Sequence, residues 1–155
     1  MCFMQTVAEL REVLSKLELL LGPSCAAATK EEEERVVLAL KGIRNIGQLI
    51  GSRETLRRCY QSRDNAMVVR VAVLETIRKW QLSCQFSEED TGLMDTLRDN
   101  QEDAELRINA YLALMTCPTE GIIETIKTVL DIEEVNHRRN ADELQIPSSR
   151  LSHQI

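Results

Sequence analysis

Aromatic residues are nearly missing from this chain: two Phe, two Tyr and one Trp in 155 positions. A core here has to be built from Leu, Ile, Val, Ala and Met, which suits packed helices better than a β-sandwich or barrel. Histidine is scarce as well, with only His137 and His153, both close to the end. The five cysteines, Cys2, Cys25, Cys59, Cys84 and Cys117, are widely spaced and form no CxxC pair. That combination argues strongly against a zinc site. No apolar run approaches the roughly 20 residues that span a bilayer. The opening Met1-Cys2-Phe3-Met4-Gln5-Thr6 lacks the basic and apolar regions of a signal peptide. Positive charge is in the minority, with 19 Lys and Arg against 25 Asp and Glu, and the net charge of −6 argues against general nucleic-acid binding.

What is present is an ordinary soluble composition, 43 % hydrophobic and 28 % charged, in a length that fits one domain or part of one. It excludes disorder over most of the chain. The scattered cysteines are expected to be buried or half-buried thiols acting as small hydrophobes. The alternative is one disulfide in an oxidising compartment, which leaves at least one thiol unpaired.

Read along its length, the chain gives helix after helix and no strand-turn-strand signal. Residues 4–21 place Val7, Leu10, Leu14, Leu17 and Leu21 on one apolar face, and Gly22-Pro23 ends that helix. Thr29 and Glu32 have capping-box spacing and open a helix to about Asn45, carrying Val36, Val37, Leu40 and Ile43. The acids Glu31–Glu34 suit the positive end of its dipole and read as a solvated helix start, not a metal site. Gly47 and Gly51 mark a turn, and Ser52 opens a short helix to Tyr60. Further helices are expected over 66–80, near 88–98 behind Ser87-Glu88-Glu89-Asp90, from Asp103 towards Pro118, and from Thr119 to about Ile132.

These helices repeat. Val36, Arg70 and Arg107 fall in register at intervals of 34 and 37 residues. Ala39, Val73 and Ala110 then coincide, as do Leu40, Leu74 and Tyr111, and Gly42, Thr76 and Ala113. A stripe of small or short residues thus runs beside a stripe of large apolar ones, so that a neighbouring backbone comes close while large side chains fill the groove alongside. A unit of one shorter and one longer helix with this period is typical of an α-solenoid. The fold class expected is all-α, a right-handed α-solenoid of HEAT-like helix pairs forming a partial superhelix. Six to eight helices are expected, paired antiparallel.

Few residues invite a chemical role. The stretch GIRNIGQLIG (42–51) has neither GxGxxG spacing nor a preceding strand, so it is not a nucleotide loop. Ser, Cys and His are not arranged as a nucleophile and base. Arg53, Arg57, Arg58 and Arg63 could meet a phospholipid headgroup or an acidic partner, but a solvated short helix explains them better. Trp80, near a helix end, reads as a packing anchor. Arg70 and Arg107 recur near the starts of successive helices, and each is expected to pair with an acid or backbone of a neighbouring unit. No catalytic, cofactor-binding or metal residue is assigned, and no lipid-binding residue is named.

The phrases LALKGIRNIGQ (38–48), VRVAVLETIRKW (69–80) and AELRINAYLALMTCP (104–118) resemble consecutive helices in the N-terminal lipid-transport module of large lipid transfer proteins. That family comprises vitellogenins, apolipophorins, apolipoprotein B and the large subunit of microsomal triglyceride transfer protein. The likeness covers about residues 34–136, with DIEEVN (131–136) also in keeping. It implies a piece of a helical arch that wraps sheets enclosing a lipid cavity, in a secreted lipoprotein or yolk lipid carrier. The sheets and β-barrel that the family carries have no counterpart here, nor does a secretory signal. The implied partners are phospholipid or neutral lipid and the remaining domains of a longer parent. Residues 1–28 are expected to be an N-terminal helix and connection, 29–136 the repeating segment, and 137–155 a disordered or frayed tail, because HRRNADELQIPSSRLSHQI lacks the apolar period. The alternative function is a HEAT-like scaffold that binds another protein; an enzyme is not expected.

Overall fold

The computed structural model describes residues 2–46, 53–81, 84 and 92–144, with side-chain surroundings given for 8–46, 53–80, 84 and 92–133. Among these residues there are seven helices and no strand: α1 (Cys2–Leu21), α2 (Lys30–Ile46), α3 (Arg53–Gln61), α4 (Met67–Gln81), α5 (Leu93–Arg98), α6 (Ala104–Leu114) and α7 (Glu120–Leu144).

The helix starts follow from local chemistry. Ahead of α2, the Glu32 backbone N–H donates to Thr29 Oγ1 at 3.2 Å, while Glu32 Oε2 accepts from the N–H groups of Ala28 and Thr29 at 2.7 and 3.1 Å. Those two backbone donors hold the Glu32 carboxyl below the usual carboxylate range. Asp103 caps α6 by accepting from the Glu105 N–H at 2.8 Å, and Thr119 Oγ1 accepts from the Ile122 N–H at 3.3 Å at the head of α7. Gly22 ends α1 in the left-handed region at φ 60°, which costs a residue without a Cβ little. The expected signals at Gly47, Gly51, Ser52 and Ser87 lie outside the described residues.

One expectation needs correction. α7 does not stop near Ile132 but continues to Leu144. Residues 133–144 contain neither glycine nor proline, so nothing interrupts the hydrogen-bond ladder even though the apolar period has faded. Residues 137–144 of the expected tail are therefore helical, and 145–155 lie outside the described residues.

Packing follows the register. Helix α1 lies on α2, α3 on α4, and α5 on α6, while α2 lies against α4 and α4 against α6; α7 touches α5. The core is one cluster in which Leu40, Tyr60, Val73, Leu74, Leu106 and Leu114 are fully or almost fully buried. Helix α4 sits at its centre, with neighbours on three sides.

The short-residue stripe has a direction. A Cβ at Gly42 would come within 3.0 Å of Leu17 on α1, and the Thr76 hydroxyl, which donates to Ala72 O at 2.7 Å, lies 3.4 Å from Leu40 O on α2. Both face the preceding helix, so Ala113 at the matching position faces α4. Ala110 and Ala113 are fully buried. Ala110→Leu and Ala113→Leu are each expected to cost about 1–3 kcal/mol, the usual penalty for overfilling a packed contact. Thermal unfolding reads this, and an unchanged midpoint in both variants would contradict close helix approach.

Candidate functional site

The recurring arginines form the same device twice. Arg70 donates from Nε to Tyr60 O at 2.6 Å, and from its two terminal nitrogens to both carboxylate oxygens of Glu102 at 3.2 and 2.6 Å. Arg107 donates from Nε to Leu97 O at 3.2 Å and from a terminal nitrogen to Glu133 at 2.6 Å. In both units the carbonyl stands ten residues before the arginine, at the end of its own short helix. The acid comes from the next unit. A guanidinium fork serves this geometry because one donor can hold a carbonyl while two others meet a carboxylate. The Arg70–Glu102 pair is nearly enclosed, with 5 and 11 % of the side chains exposed. Arg70 holds the Glu102 carboxyl below the usual carboxylate range. Burial pushes the neighbouring Tyr60 hydroxyl up to about 12, so it stays neutral.

The cysteines depart from the expectation of unpaired thiols. Cys25 is bonded to Cys59 and Cys84 to Cys117, with Cα–Cα distances of 5.1 and 5.5 Å. The repeat supplies the reason. Cys25 precedes Val36 by the same eleven residues that separate Cys59 from Arg70, so stacking the units brings the two together. Cys84 follows α4 and Cys117 follows α6, at the opposite ends of those long helices. Cys84–Cys117 therefore places the ends of α4 and α6 at one edge, while Cys25–Cys59 ties the α1–α2 connection to α3. The side chain of Cys2 lies outside the described residues.

The remaining candidates carry less. Arg58 pairs with Glu54 at 3.1 Å, Arg63 with Asp99 at 3.1 Å, and Arg57 donates to Gln61 at 3.3 Å, which agrees with a solvated helix. Arg53 is exposed. Trp80 is buried as an anchor. Glu31, Glu33 and Glu34 surround no metal-holding group, and no cluster of three ligating residues occurs among the described residues. The second half of 42–51 and the side chains of His137 and His153 lie outside the described residues.

Two apolar surfaces stand open. The outward positions of the three long helices carry Leu38 (67 % exposed), Val68 (54 %) and Ile108 (58 %), interleaved with charge. Val37, Leu38 and Val68 line a shallow depression rimmed by Lys30, Glu33, Glu34 and Lys41. The second surface is the forward side of α6. Leu40 and Leu74 are fully buried, each beside a following long helix, whereas Tyr111 in the same register is 37 % exposed. Sequence pattern places Tyr111 in the large apolar stripe with Leu40 and Leu74; no following long helix covers it among the described residues.

A family profile described as the vitellogenin TPR domain matches residues 4–142, reaching beyond 34–136 on both sides. The chain is 34 % identical over 150 residues to apolipophorins of Locusta migratoria, covering 96 % of this chain and 4 % of that protein. It is 34 % identical over 112 residues to apolipophorins of Drosophila melanogaster, covering 72 and 3 %. To apolipoprotein B-100 of Rattus norvegicus it is 27 % identical over 114 residues, covering 70 and 2 %. The chain thus spans only a few per cent of the length of these relatives. No solved structure gives a significant match.

Proposed function

The chain belongs to the vitellogenin TPR-domain family, and on that premise we propose that it is a helical scaffold segment of a lipid carrier, holding a lipid pocket in shape rather than enclosing one. The helices form a right-handed α-solenoid, a partial superhelix that belongs to a longer arch. The segment that enters it ends at residue 28, and 29–136 carry its repeats. Its partners are the other domains of a secreted parent and, through them, phospholipid or neutral lipid. No catalytic, metal or cofactor role is assigned.

The directional packing carries this reading. Each long helix turns short residues backward and large ones forward, and on the forward side of α6 Tyr111 is left 37 % exposed. A solenoid unit completes its core only against the next unit. Two disulfides fit the oxidising environment of a secreted parent. No described helix is long and apolar enough to cross a membrane.

The isolated chain is therefore expected to self-associate and to hold lipid weakly, without a fixed ratio. Purified chain is incubated with phospholipid vesicles and neutral lipid, separated by size, and its bound lipid counted. A monodisperse monomer carrying a fixed number of lipid molecules would overturn the proposal, because it requires a closed pocket. A monodisperse monomer that ignores lipid favours a protein-binding scaffold instead.

A further inference from the structure

We propose that the cavity between the first two repeat units is a binding site for the guanidinium of an arginine side chain presented by a partner polypeptide. The cavity holds about 620 Å³ and lies between the end of α1, the start of α2 and the α3–α4 connection. Its walls are the places where the later units keep their arginine clamp. Arg70 and Arg107 each reach the carbonyl ten residues back, and Arg70 forks onto Glu102. In the first unit the arginine position is Val36 and the residue ten back is Ala26. Asn65 stands five before Arg70 as Glu102 stands five before Arg107, so it takes the place of the acid. Val36, Ala26 and Asn65 all line the cavity. The Arg63–Asp99 pair likewise has neutral residues, Thr29 and Ser62, at its matching positions. This edge of the first interface is tied instead by Cys25–Cys59 and by the Asn65 amide, which donates to Ser24 O and Cys59 O at 2.8 Å each.

The walls suit a guanidinium on an apolar stem. Leu19, Leu20 and Val36 offer apolar surface along which a long basic side chain can lie. Both hydrogens of the Asn65 amide are spent on carbonyls, so what it offers a further partner is its oxygen, an acceptor. Asp64 adds an exposed carboxylate at the rim. Glu32 adds a second negative charge, its carboxyl held below the usual range by two backbone donors. The cation on this wall, Arg35, is met by Glu31 at 3.4 Å. A guanidinium engages a carboxylate and a neutral oxygen together, as Arg70 does one unit further on, whereas an ammonium has no fork to do so. Val36 supplies no donor, so here the guanidinium comes from another polypeptide.

The test couples the oxidised 155-residue chain sparsely to a surface, so that copies do not meet, and titrates it with N-acetyl-arginine amide. The lysine and citrulline amides serve as the charged and the neutral comparison. The arginine probe is expected to bind saturably, the lysine probe more weakly, and the citrulline probe not at all. Asp64→Asn is expected to weaken the arginine probe about tenfold, the loss of one charge-assisted contact. Val36→Arg with Asn65→Glu rebuilds the clamp inside the chain and is expected to abolish binding. No saturable binding of the arginine probe, equal binding of either comparison probe, or undiminished binding to both variants overturns the proposal. Should the double variant not fold, Asp64→Asn decides, because Asp64 is exposed and its loss leaves the packing in place.

Discussion

Arg70→Met is expected to lower the free energy of unfolding by about 3 kcal/mol, because removing one member of an enclosed ion pair strands the other. Two groups lose the Arg70 donors together: the Tyr60 carbonyl, and the Glu102 carboxylate, which keeps the Asp103 N–H at 3.0 Å. Arg70→Lys is expected to recover little, since an ammonium cannot present a fork to a carboxylate while holding a carbonyl from a third nitrogen. Arg107→Met should cost less, because Glu133 is 44 % exposed and keeps its water. Denaturant unfolding of the three variants measures the order. Equal losses for Arg70→Met and Arg107→Met would contradict the assignment of burial as the cause.

The same pair sets a pH dependence. The folded-state pKa of Glu102 is depressed, chiefly by its hydrogen bond from Arg70. Its stabilisation is therefore fully present above the ordinary carboxylate value of 4.5 and is lost as pH falls through the lower folded value. Arg70→Met should flatten this acid limb of the stability curve.

The second large effect is expected from removing Cys25–Cys59. The bond closes a 34-residue separation, for which loop-closure entropy gives about 3–4 kcal/mol. Both residues are fully buried, so Cys25→Ala with Cys59→Ala leaves small apolar side chains in place and isolates the loss of the link. A double variant as stable as the parent chain under oxidising conditions would contradict a structural role for this bond.

Much of this was legible in the residues. Thr29 with Glu32, Asp103 and Thr119 each announce a helix start because the side chains that satisfy orphan backbone N–H groups sit within three residues of them. Arg70 and Arg107 were visible as repeat positions, and pairing with a neighbouring unit followed from their recurrence. The disulfides were less legible. Spacing alone leaves the pairing of five cysteines open, and only the offset of Cys25 and Cys59 from register positions Val36 and Arg70 contained the answer. Tyr111 illustrates a different gap: pattern tells which side of a helix is apolar, not whether another helix is there to cover it. The extension of α7 to Leu144 escaped because apolar period and helix propensity part company after Ile132.

The stacking of equivalent units is the central claim, and disulfide mapping tests it most directly. Proteolysis of the oxidised chain without reduction, followed by mass spectrometry, should yield cross-linked peptides joining Cys25 to Cys59 and Cys84 to Cys117. The first pair needs the α1–α2 connection beside α3, and the second needs α4 and α6 to end at one edge. Cross-links joining Cys25 to Cys84 or Cys59 to Cys117, or free thiols at all four positions, would contradict it.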